Sequence, residues 1–125
     1  MIDQALACLA TTIFMESATE PMQAQVAVGY VLMRRAEFNH KNVCYEMKRP
    51  YQFSWYGVRQ PPIKLNNYYY ELAQMIMKQS VKDYSYGATN FHDDSIKNPW
   101  KMKPIVKWSH MIFYKQEERK YASAT

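Results

Sequence analysis

In this chain of 125 residues, the side chain best placed for acid–base chemistry is that of Glu16. Ile2, Ala5, Leu6, Leu9, Ala10 and Ile13 recur at the three-and-four spacing of an amphipathic helix. At roughly 100° per residue, Glu16 falls in the middle of that apolar stripe, not on the polar side. A carboxyl on an apolar face is desolvated, so its pKa is expected to rise. The negative end of the helix macrodipole acts in the same direction. Near neutral pH such a group would hold a proton and could donate it as a general acid. The competing reading is a solvated terminal or capping carboxylate. Glu20, four residues on, offers a second carboxylate. A Glu beside a proline such as Pro21 more often stands in the first turn of a helix and complements its dipole.

The remaining reactive side chains point to less. His92, Asp93, Asp94 and His110 are metal-ligand types, but their spacing matches no compact zinc or calcium motif. Neither a metal nor a cofactor is expected. Asp93 and Asp94 read as the turn after a strand. Cys8 and Cys44 cannot form a disulfide scaffold and lack metal-site spacing. Cys8 lies within the apolar part of the first helix, where a buried free thiol is the default. One bridge to Cys44 stays open.

These residues need elements to hold them. The length suits one domain with a real core, and the composition is globular. A connection over Ser17–Glu20 leads into a second helix from about residue 19 or 20 to Phe38, burying Met22, Val26, Ala27, Tyr30 and Met33. Residues 41–62 carry three prolines and read as a long loop with a heavy aromatic load: Tyr45, Tyr51, Phe53, Trp55 and Tyr56. A third helix is expected from residue 66 or 67 to about Val81, burying Leu72, Ala73 and Ile76. Tyr84–His92 and Val106–Lys115 read as strands around a polar loop with Asn98-Pro99-Trp100. The expected organisation is one domain over residues 1–115 and a flexible tail over 116–125.

A net charge of +5 points toward anionic partners: nucleic acid, a membrane surface or bacterial cell wall. Arg34-Arg35 and Lys101 to Lys107 are its dense places, and neither looks like a recognition helix. Charge that merely keeps the surface soluble is an equal reading. The N-terminal Met-Ile-Asp-Gln lacks a positive signal region, and no stretch is long enough to span a bilayer. Synthesis as a soluble cytoplasmic chain is expected.

The run Phe14 to Arg35, FMESATEPMQAQVAVGYVLMRR, resembles the opening motif of the spore cortex-lytic (SleB/CwlJ-type) cell-wall hydrolases. Asn42-Val43-Cys44, Gln52-Phe53-Ser54-Trp55, Gly87-Ala88-Thr89-Asn90-Phe91-His92, Asn98-Pro99-Trp100, and His110 with Phe113-Tyr114 follow in the order of that family. Three departures stand out. Ser17-Ala18-Thr19 replaces the usual Ala-Arg-Gly, Ser85 replaces a threonine, and both Met111 and Ile112 separate His110 from Phe113 where the family has one residue.

The resemblance implies an α+β, lysozyme-like fold, with a helical N-terminal part followed by a small antiparallel sheet. It implies cleavage of peptidoglycan between N-acetylmuramic acid and N-acetylglucosamine by a lytic transglycosylase, with Glu16 as the one catalytic acid/base. Gln52, Phe53, Trp55, Asn90, His92, Trp100 and His110 are the candidate substrate-binding residues. Sugar faces stack on aromatics such as Trp55 and Trp100, and Gln52 and Asn90 suit N-acetyl groups. The alternatives are a two-carboxylate muramidase-type hydrolase using Glu20 or an Asp, and a non-catalytic basic module that binds wall or nucleic acid. The expected partner is the glycan strand, with no nucleic acid, no stable membrane insertion and a monomeric protein. A compact domain of this kind resembles a phage endolysin, held in the host cytoplasm until a holin-type lesion opens the membrane.

Overall fold

The computed structural model describes residues 3–49, 59–62 and 64–116. Within them the chain forms α1 (Gln4–Ser17), α2 (Met22–Arg35), α3 (His40–Lys48) and α4 (Asn67–Met77). Strands β1 (Asn90–Asp93), β2 (Pro104–Trp108) and β3 (Met111–Tyr114) follow, an antiparallel sheet in the order β1-β3-β2. The expected α+β arrangement, helices first and sheet last, is what the chain adopts. Gln52, Phe53 and Trp55 lie outside the described residues, as does the expected tail beyond Gln116.

α2 is the centre of the molecule. Every residue from Ala24 to Met33 is buried, which explains why a single apolar stripe describes it poorly. Val26, Tyr30, Leu32 and Met33 join Leu9, Ile13, Val43, Leu72 and Ile76 in the helical core. Ala24, Ala27, Val28 and Val31 face the other way, against Ala88, Met111 and Phe113. One helix therefore couples the helical half to the sheet. Met22, expected in the core, is 43% exposed at the helix start. Gly29 lies where α2 meets side chains of α1 and α4 closely: an added Cβ would stand 2.5 Å from Ile76 Cδ1 and 3.2 Å from Ile13 Cδ1.

Polar residues enter this interior by satisfying themselves locally. Thr12 Oγ1 donates to the Cys8 carbonyl at 2.8 Å and Ser17 Oγ to the Ile13 carbonyl at 2.7 Å, the i−4 back-bond open to hydroxyls within a helix.

Four expectations about the elements are corrected. The first part of the supposed 41–62 loop is helix α3, whose Asn39 cap accepts the Lys41 amide and whose Val43 and Met47 are buried one turn apart. The prolines further on obscured that short signal. The strand expected from Tyr84 begins only at Asn90, because Tyr86 (φ 53°) and Gly87 (φ 87°) turn the chain first. The Asp83 carboxylate ties that turn by accepting from Ser85 N at 2.8 Å and Ser85 Oγ at 2.6 Å. The single strand expected over 106–115 is a hairpin, pairing Trp108 with Met111 around Ser109 (φ 54°) and His110. The third helix is also shorter than expected, ending at Met77.

Cys8 and Cys44 form a disulfide, against the default of a buried free thiol. The reason is tertiary: α3 packs across α1 and brings the two Cα atoms to 5.4 Å.

Candidate active site

Glu16 is on the last turn of α1, partly buried. Its carbonyl-side neighbour is held from two directions. The Ser17 carbonyl accepts the Glu20 amide at 3.0 Å and Gln25 Nε2 at 3.2 Å. Gln25 reaches there from α2, 5% exposed, and its Oε1 accepts the Tyr68 hydroxyl of α4. Three helices thus share one buried amide beside Glu16.

Glu16 opens onto a cleft of about 760 Å³ lined also by Arg35, Asn90, Phe91, His92, Asp93, Ile96, Pro99, Trp100 and Met111. Helix ends form one wall, β1 and the loop before β2 the other. Phe91, Ile96, Pro99, Trp100 and Met111 make it apolar, while Glu16, Arg35, Asn90 and Asp93 supply charge and hydrogen bonds, the usual constitution of a ligand cleft. Arg35 Nε donates to the Thr89 carbonyl at 2.8 Å, fixing that guanidinium to the start of β1. Asn90 Oδ1 accepts the Thr89 hydroxyl at 2.7 Å, which leaves the amide N–H groups as donors.

His92 lines the cleft, but its ring nitrogens are engaged. Nδ1 lies 2.8 Å from the Asp93 carbonyl and Nε2 2.7 Å from the Tyr114 hydroxyl. A carbonyl only accepts, so Nδ1 carries the proton, and in the neutral ring Nε2 accepts from Tyr114. Burial pushes the Tyr114 phenol up, which keeps its proton in place. The His92 and Tyr114 rings stack at 5.2 Å, and Trp100 packs on them at 5.6 and 5.3 Å. His92 therefore holds the aromatic wall, and Trp100 presents it.

The structure brings Glu16, Asn90, His92 and Trp100 together. It does not bring His110 to them. His110 N donates to Glu20 Oε1 at 3.0 Å, and its Nδ1 lies 3.2 Å from Glu20 Oε2. The hydrogen bond and charge of Glu20 raise the His110 pKa. With its side chain only 8% exposed, Glu20 clamps the β2–β3 turn to the α1–α2 connection. Arg34, read as part of a surface charge patch, is likewise structural: it pairs with Asp83 and donates to the Ala88 carbonyl at 2.6 Å. Sequence reasoning missed Arg35 and Asp93 as cleft residues, because one looked like surface charge and the other like turn punctuation. Among the described residues, no three His, Cys, Asp or Glu side chains converge as a metal-holding group.

The comparisons agree with this architecture. A family model described as Cell Wall Hydrolase matches residues 19–114. The crystal structure of the catalytic domain of the Bacillus cereus SleB protein superposes with a TM-score of 0.74 at 24% identity, covering 92% of this chain and 93% of that one. That likeness shows a common fold, of the lysozyme-like kind. No curated protein sequence matches significantly. The family match begins three residues beyond Glu16, so it carries the class and leaves the role of Glu16 to the geometry. The chain belongs to the cell wall hydrolase family, enzymes that degrade peptidoglycan.

Proposed function

We propose that this protein is a peptidoglycan lytic transglycosylase in which Glu16 is the single catalytic acid and base. The observation that carries the reading is the placement of Glu16 at the end of α1, on a cleft shared with Asn90 and Trp100. Protonated Glu16 gives its proton to the glycosidic oxygen as the bond between N-acetylmuramic acid and N-acetylglucosamine breaks. Its carboxylate then takes the proton from the C6 hydroxyl of the muramoyl residue, whose oxygen closes a 1,6-anhydro ring. No water is consumed, and Glu16 ends protonated. Trp100 offers a face for a sugar ring, and the Asn90 amide offers donors for an acetamido carbonyl.

Glu20 does not supply a second carboxylate, since that side chain is turned to His110 and does not line the cleft. Asp93 is the other carboxylate there, and the end groups of the products separate the one-carboxylate reading from a hydrolase that uses it. A disulfide between Cys8 and Cys44 suits action outside a reducing cytoplasm. A phage-endolysin role after membrane permeabilisation is part of the same proposal, and the disulfide bears only on its site of action. No described helix is long and apolar enough to cross a membrane.

The test is Glu16→Gln with products read by mass spectrometry. The amide keeps the shape and cannot donate the proton, so lysis of purified sacculi should fall by about 10²- to 10⁴-fold. Wild-type products should end in anhydro sugars, lighter by one water than hydrolytic ends. Reducing ends instead would favour the two-carboxylate hydrolase, and lysis by folded Glu16→Gln at the wild-type rate would refute the acid.

A further inference from the structure

Asp93 ends β1 and lines the cleft across from the helix ends. Its carboxylate accepts the Ser95 amide at 2.8 Å. Backbone and side-chain hydrogen bonds from Ser95 hold its pKa below the usual carboxylate range, so it is charged in use. The neighbouring Asp94 is matched by Lys107 at 3.2 Å. Among the described residues no lysine or arginine forms a salt bridge with Asp93, and the cationic influence on it comes from the charges of His110 and His92, at longer range than a salt bridge. Asp93 is therefore an ionised, exposed carboxylate on the wall of a cleft read above as a glycan site.

That placement constrains the ligand. An anionic polymer is repelled at Asp93 unless it sets a cation there. A sugar hydroxyl donating to Asp93 makes a hydrogen bond with one charged partner, whereas an ammonium on a carboxylate is charged on both sides and adds the attraction of opposite charges. The cations a peptidoglycan strand can present are primary ammonium groups. They occur on glucosamine that lacks its acetyl group, and on the free amine of a diamino acid in the stem peptide.

We propose that Asp93 is a specificity determinant that receives a primary ammonium of the wall substrate in this cleft. The proposal rests on the peptidoglycan reading of the site. Lysis rates would be compared on sacculi bearing free amines and on the same sacculi exhaustively N-acetylated with acetic anhydride. Acetylation makes the wall more anionic, which by itself favours a chain of net charge +5. A slower rate on acetylated walls would thus oppose the long-range effect and report the local contact. Wild type should prefer amine-bearing sacculi by about two- to fivefold, the upper part of the range for one exposed ion pair.

In Asp93→Asn that preference should fall toward one. The amide oxygen can still accept the Ser95 N–H, so the turn and the fold are kept. Glycan strands stripped of stem peptides by an amidase separate the two sources: a preference that persists places the ammonium on the sugar, and one that vanishes places it on the peptide. Equal wild-type rates on both sacculi, or an unchanged preference in folded Asp93→Asn, would overturn the proposal. Folded wild type that cleaves neither substrate would instead sink the peptidoglycan reading beneath it.

Discussion

Gln25 Nε2 donates to the Ser17 carbonyl across 3.2 Å, joining the first turn of α2 to the end of α1 one residue from Glu16. The same amide accepts the Tyr68 hydroxyl, so replacing it removes two hydrogen bonds at once and leaves the Ser17 carbonyl with the Glu20 amide alone. Gln25→Leu should cost about 1–3 kcal/mol of stability. It should also lower kcat more than it raises KM, because the end of α1 loses its anchor. Thermal unfolding and steady-state lysis check both, and an unchanged kcat in a destabilised variant would limit Gln25 to packing.

The Cys8–Cys44 bond closes a loop of sequence separation 36 between α1 and α3. Chain-entropy arguments put such a crosslink at about 3–4 kcal/mol. Removing both thiols as Cys8→Ala with Cys44→Ala should lower Tm by roughly 10 °C. Adding reductant to wild type should produce a similar drop. Calorimetry with and without reductant reads it directly, and identical curves would show the bond to be energetically idle.

Asp83 predicts the acid limb of stability. Burial by itself raises its pKa, but hydrogen bonds from Ser85 and the charge of Arg34 outweigh that and bring it below 3.8. A depressed folded pKa stabilises the protein above the unfolded value, and the gain is lost as pH falls through the folded one. Asp83→Asn should therefore be less stable than wild type at pH 7, with the gap closing below about pH 4. Urea titrations at pH 7 and pH 3 would reveal it. His110 has the opposite sign: its raised pKa favours the folded state below 6.5 and the contribution fades as pH rises through the folded value.

Trp100 and the basic segment beside it should part company in salt. Contacts in the cleft are short-range, whereas Lys101 and Lys103 are exposed and act through a field screened over about 8 Å at physiological ionic strength. Trp100→Ala should reduce sacculus lysis at low and high salt alike. Charge reversal at Lys101 and Lys103 should hurt mainly at low salt. Lysis rate against salt for both variants decides, and a folded Trp100→Ala that matches wild type throughout would make that ring a loop anchor. The same comparison for Trp55 concerns a residue outside the described part of the chain.

Gly29 offers a packing test. In a helix interior alanine is better than glycine by about 1 kcal/mol, yet a Cβ here meets two buried isoleucine side chains. Overpacking of about 1–3 kcal/mol should win, so Gly29→Ala is expected to be net destabilising. An increase in Tm would mean Ile76 moves aside at little cost.

Periodicity in the first 38 residues was enough to show two helices, and Glu16 stood out because it interrupts an apolar stripe. The ordered motifs from Phe14 to Tyr114 carried the family and the α+β fold, since each is a local run of residue types. Helix α3 and the Ser109–His110 turn were not legible, because a short helix among prolines and a turn without Asn or Gly give weak local signals. The sequence alone thus determined the elements whose stabilising contacts repeat along the chain, and the candidate acid within them. Only the tertiary structure decided which distant groups meet: Cys8 with Cys44, Glu20 with His110, Arg34 with Asp83, and Asp93 with the cleft of Glu16. The first depends on how α3 packs across α1 and the others on how α2 carries the helical half against the sheet, and such packing is a property of the whole interior.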